Sequence, residues 1–98
     1  MNKIEKVSEI SYQDLADYIR LDELSQDDIN TLNNLKNVAE TFIRSYTGRE
    51  FLDEFQDFVI VVLILVQDMW DTRTLYVDKT NLNKVVETIL GMHSVNLL

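Results

Sequence analysis

Apolar positions in this chain recur at spacings of three and four over most of its length. That spacing is the mark of helices that each bury one face. The densest stretch is Phe58 to Val66, nine apolar residues without a polar interruption. It is too short to cross a bilayer, which takes about 20 apolar residues as helix. Periodicity inside a solid apolar run does not separate strand from helix, so its flanks decide. Phe55, Phe58, Val59, Val62, Leu63, Val66, Met69 and Trp70 fall on one helical stripe, and neither Gly nor Pro interrupts Phe51 to Arg73. The β-branched content favours a strand, but strands rarely exceed about 10 residues. The pattern predicts a central helix from near Asp53 to Thr72–Thr74, apolar nearly all round and wrapped by others.

The flanking segments supply those partners. Ser11 with Asp14 is a capping-box-like start, with Asp where Glu is usual. Tyr12, Leu15, Ala16 and Ile19 continue it as a short first helix to about Arg20. The link Leu21-Asp22-Glu23-Leu24 offers two leucines to the core. Ser25 and Asp28 mark a second start. Ile29, Leu32, Leu35, Lys36, Ala39, Phe42, Ile43 and Tyr46 then hold the helical period up to Gly48, where a left-handed cap needs no β-carbon. Lys36 breaks the stripe, but its stem can lie on apolar surface with the ammonium in water. After a turn at Thr47 to Phe51 and the central helix, Leu75-Tyr76-Val77 forms an apolar link. Thr80 or Asn81 caps a fourth helix with Leu82, Val85, Val86, Ile89 and Leu90 inside, stopped at Gly91. Residues 1–10 read as a frayed leader and residues 92–98 as a C-terminal tail. The expectation is one all-α domain over residues 1–98: a small orthogonal bundle of about four helices around an apolar central one.

Composition narrows the chemistry. The 98 residues suffice for a modest core without metal or disulfide staples. There is no Cys, which removes disulfides, thiolate metal sites and a Cys nucleophile. The opening M-N-K-I-E-K-V-S-E lacks the apolar core of a signal peptide, so a soluble protein that stays where it is made is expected. Nine basic and seventeen acidic residues give a net charge of −8. Residues 11–57 hold eleven acids and four bases; residues 58–98 hold four and three. Such a surface repels nucleic-acid phosphate. Solubility and helix-start charges account for it most simply; a DNA-mimic inhibitor is the sharper alternative.

Candidate catalytic groups are sparse. The sole histidine, His93, follows the fourth helix with no ligand spacing around it, and no metal or cofactor is expected. Asp14/Asp17 and Asp68/Asp71 are i,i+3 carboxylate pairs able to hold a hard cation or move protons. Solvated helix faces explain them as well, with Arg73 a neutralising neighbour for the second pair. No phosphate loop, G-x-S-x-G elbow or H-E-x-x-H is present. The four tyrosines are not interleaved with basic residues, so stacking on nucleic acid has little support. The chain reads as an interaction module, not an enzyme.

A short helix, a longer one ending in Tyr46-Thr47-Gly48-Arg49, a very apolar one ending in Met69-Trp70-Asp71-Thr72-Arg73, and a short last helix: this order resembles the small head–tail connector proteins of tailed phages. Leu21-Asp22 before the acidic start at Ser25 to Asp28 also matches that family's opening. The resemblance covers about residues 11–92. Many members close on an apolar pair followed by Tyr-Arg, whereas this chain has Leu90-Gly91-Met92-His93.

The resemblance implies a structural role, as a ring beneath the portal of a filled phage or prophage head that extends the DNA channel after packaging. The implied partners are the portal protein, a tail-side head-completion or stopper protein, and further copies of the chain. DNA would pass without sequence-specific binding, and no membrane is involved. The implied location is the virion head–tail junction, after synthesis in the bacterial cytoplasm. Family members grip the portal or a neighbour with C-terminal segments, which puts that role on Met92, Val95, Leu97 and Leu98. The same tail could instead fold back onto its own domain. Two other classes are left open: a small acidic helical partner-binding protein of antitoxin, anti-repressor or DNA-mimic type, and an enzyme subunit, for which a cofactor or metal bound to the purified protein would be the sign.

Overall fold

Both predicted capping boxes form. The computed structural model describes residues 4–95. Ser11 accepts from the Asp14 amide while the Asp14 carboxylate takes the Ser11 amide at 2.8 Å, starting α1 (Tyr12–Ile19). Ser25 and Asp28 repeat the arrangement at α2 (Gln26–Thr47). The shorter Asp side chain therefore replaces Glu in this reciprocal cap. Gly48 closes α2 in the left-handed region at φ 74°. Arg20 and Arg73 take the same conformation at φ 69° and 56°, ending α1 and α3 (Asp57–Thr72) without a glycine. α4 spans Lys84–His93. Among the described residues there are four α-helices, three short 3₁₀ turns and no strand.

α3 is the centre. It packs on α1, α2 and α4, and Phe58, Val59, Val61, Val62, Leu63, Leu65, Val66 and Met69 are all buried. Val61 and Leu65 lie outside the predicted stripe, because the helix is enclosed on more than one side. α2 supplies Leu32, Leu35, Ala39 and Ile43 at helical spacing; α1 supplies Leu15 and Ala16, and α4 supplies Val86 and Leu90. The Lys36 ammonium reaches Glu40 at 3.6 Å with its stem against the helix, as its place in the stripe requires. Each of these buried Leu, Ile and Val side chains contributes about 1.5–3 kcal/mol by leaving water, which outweighs the weak helix propensity of the asparagines in α2.

Four boundaries differ from expectation. α3 begins at Asp57, not near Asp53, because Leu52–Glu54 form a 3₁₀ turn that buries Leu52 before the chain bends at Phe55. The fourth helix is capped by Asn83, whose side chain accepts from the Val85 and Val86 amides; Lys79–Asn81 form a separate 3₁₀ turn held by Asp78. Gly91 lies inside α4, not at its end, and Val85 is exposed, not inside. The leader is also structured over its described part. Val7 and Ile10 are buried, and Ser8 donates its amide and hydroxyl to Asp53 at 2.9 and 2.7 Å.

Candidate functional site

The turn Thr47-Gly48-Arg49 fastens the end of α4 to the rest of the fold. Thr47 is fully buried, and its hydroxyl donates to the Ile43 carbonyl at 2.7 Å while accepting the Arg49 amide at 3.2 Å. This double use of one hydroxyl fixes the chain reversal that Gly48 permits. Arg49 then projects back across α4. Its Nε donates to the His93 carbonyl, its guanidinium lies 4.6 Å from the Phe55 ring centre, and it stands 3.8 Å from Glu54. The Thr47 carbonyl accepts the Val95 amide at 2.7 Å. Two main-chain groups near the end of the described chain are thus held by one short turn.

His93 completes the junction. Its ring stacks on Phe55 with centres 4.0 Å apart and meets Phe58 edge-on at 5.3 Å. Its Nε2 is 2.9 Å from an Asp57 carboxylate oxygen. The stack removes apolar ring surface from water while Asp57 pairs Nε2, and among the described residues no buried side-chain polar atom lacks a partner. Asp57 opens α3, where a carboxylate also offsets the positive helix end. His93 is therefore a structural anchor between α3 and α4. The spacing along the chain does not reveal this, since its partners lie 36 and 44 residues away.

Of the residues expected to dock a partner, Met92 and Val95 are exposed, at 65% and 48%. Leu97 and Leu98 lie outside the described residues. Val85, two helical turns before Met92, is exposed as well, at 51%. Residues seven apart on a helix lie nearly in line, so Val85 and Met92 form an outward apolar strip on α4, and Val95 follows beyond its end. Val86 and Leu90, on the opposite side, are buried.

The Asp14/Asp17 and Asp68/Asp71 pairs do not combine into one metal-holding cluster. Asp14 is used in the α1 cap, and Asp17 accepts from Gln13 at 3.0 Å. Asp68 and Asp71 stand on α3, but Arg73 does not neutralise them: its guanidinium lies 5.1 Å from the Trp70 ring centre. Among the described residues no group of three or more His, Cys, Asp or Glu side chains is placed to hold a metal ion. No described helix is long and apolar enough to cross a membrane.

The fold and this junction define an all-α protein with an exposed apolar strip that runs along its last helix to the anchored end. Comparison of the chain with protein-family models, with curated proteins and with solved structures finds no match.

Proposed function

We propose that the protein is a structural head–tail connector adaptor of a tailed phage or prophage, forming a ring beneath the portal and prolonging the DNA channel after packaging. The observation that carries this reading is the Tyr46-Thr47-Gly48-Arg49 turn, the motif on which the family resemblance rests. Here it clamps the end of α4 through the His93 carbonyl and the Val95 amide. An adaptor needs a docking segment presented from a fixed direction, and Val85, Met92 and Val95 leave the clamp exposed. Burying those side chains against a portal or a neighbouring copy contributes about 25 cal/mol per Å² of apolar area. The net charge of −8 suits a channel wall, since each Lys or Arg touching phosphate would add salt-dependent grip on moving DNA. The role is assembly in the virion at the head–tail junction, with the portal, a tail-side stopper protein and further copies of the chain as partners. No catalytic or cofactor role is assigned.

The test is negative-stain imaging of the purified protein mixed with portals from the same genome. Added ring density on the portal is expected. Met92→Ser together with Val95→Ser should remove that density while leaving the thermal midpoint unchanged. Portals that stay bare with the unaltered protein overturn the reading. The eleven acids within residues 11–57 favour the second reading, an acidic partner-binding protein. Genomic neighbourhood separates the two: portal, capsid and tail genes beside this one support the adaptor.

A further inference from the structure

A groove of about 440 Å³ opens between the C-terminal half of α3 and the segment 74–83, away from the α4 clamp. Its floor is apolar, from Leu65, Met69 and Leu82, and its rim carries Asp68, Asp71 and Asp78. Among the described residues no Lys, Arg or His lines it. The cations beside these acids in sequence are turned elsewhere, Arg73 onto Trp70 and Lys79 towards Tyr46, at 5.1 and 5.9 Å from the ring centres. The far wall is braced. Asp78 accepts from Thr80 and Asn81, Thr72 and Thr74 share a hydrogen bond at 2.9 Å, and Asn83 caps α4.

We propose that this groove receives a basic, apolar-flanked segment of a partner protein. An arginine or lysine side chain enters among Asp68, Asp71 and Asp78, and an adjacent apolar side chain rests on Leu65, Met69 and Leu82. Charge complementarity selects this occupant: three carboxylates form no ion pair with a cation among the described residues, while the floor offers nothing to a fully hydrated ion. The volume sits near the lower end of the range for small-ligand sites, so it takes one or two side chains and not a whole helix. Partial desolvation, and then the neighbouring Asp71 charge, raise the Asp68 carboxyl above its ordinary value. A cation placed between the two carboxylates relieves their repulsion. Tyr76, exposed at 64%, also lines the groove and adds apolar ring surface to it. This inference rests on the groove alone and does not depend on the adaptor reading.

The experiment titrates the whole ¹⁵N-labelled chain at low ionic strength with three probes. These are a short capped peptide alternating leucine and arginine, the same peptide with citrulline for arginine, and magnesium ion alone. The arginine peptide should shift amides around the groove, from α3 residues 65–72 and from segment 74–83. The citrulline peptide should bind more weakly. Asp68→Asn and Asp71→Asn, both on exposed positions, should each weaken the arginine peptide roughly two- to fivefold, the range of a partly exposed charge pair. Equal binding of the citrulline peptide, unchanged affinity in the doubly neutralised variant, or shifts confined to residues 11–57 overturns the proposal. Magnesium reproducing the same shifts overturns it in favour of a small-cation site. Dimerisation of the free chain through these residues overturns it in favour of a second copy.

Discussion

Replacing Arg49 with methionine keeps most of the side-chain stem and removes the guanidinium, which isolates what the clamp contributes. Three contacts are lost: the hydrogen bond to the His93 carbonyl, the position over Phe55 and the Glu54 pair. A hydrogen bond from a charged donor contributes about 1.5–3 kcal/mol, and a cation over an aromatic ring about 0.5–1 kcal/mol at exposed sites. The Glu54 pair, with that carboxylate side chain 56% exposed, contributes close to nothing. The Arg49 side chain is itself 28% exposed, so the low end of each range applies and the expected loss is about 2 kcal/mol. For a domain of this size that lowers the thermal midpoint by roughly 8–16 °C. Urea denaturation followed by circular dichroism measures the loss, and hydrogen exchange at the Val95 amide reports whether its bond to Thr47 loosens with it. Arg49→Lys should fall between, since an ammonium keeps the charge but not the planar fork over the ring. An Arg49→Met protein that melts with the wild type and keeps its Val95 protection refutes the clamp.

The remaining predictions concern the core, the two glycines and one carboxyl. Leu63, 5% exposed at the middle of α3, should cost roughly 2–5 kcal/mol when changed to Ala, read from urea melts. Gly48→Ala should destabilise by about 1 kcal/mol, because φ 74° strains any β-carbon. Gly91→Ala should do the reverse, gaining about 0.5–1 kcal/mol inside α4, where an added β-carbon meets nothing within 4 Å. The Asp68 carboxyl is raised in the fold, so folded protein holds its proton to higher pH than unfolded chain, and the stability penalty grows as pH rises through that window. Asp68→Asn should therefore raise the thermal midpoint at neutral pH and leave it unchanged well below the carboxylate range; equal effects at both pH values contradict this.

Helices announced by their own side chains were legible in the sequence. Ser11, Ser25 and Gly48 act within a few residues of themselves, and each stands where its local chemistry requires. The start of α3 was not legible, because the 3₁₀ turn at Leu52–Glu54 buries Leu52 and leaves the apolar rhythm running through a break in the helix. Gly91 misled for the opposite reason: in an exposed helical position a glycine costs only about 1 kcal/mol and α4 carries on. In the leader, Ile4, Val7 and Ile10 recur every third residue, a spacing that fits a 3₁₀ turn, and Val7 and Ile10 are buried with it. The junction around His93 had no local signal, since Arg49 and the Phe55–Phe58 stretch with Asp57 meet His93 only in the fold.

The clamp holds His93 and Val95 by a main-chain carbonyl and a main-chain amide. Every amino acid except proline supplies both groups, and no side chain at 92 or 95 is needed to aim the chain. Positions 92 and 95 can therefore exchange one side chain for another while the direction in which they are presented stays constant. A surface built this way can be retuned to a new counterpart by substitution at its tip alone, without a compensating change in the core that carries it.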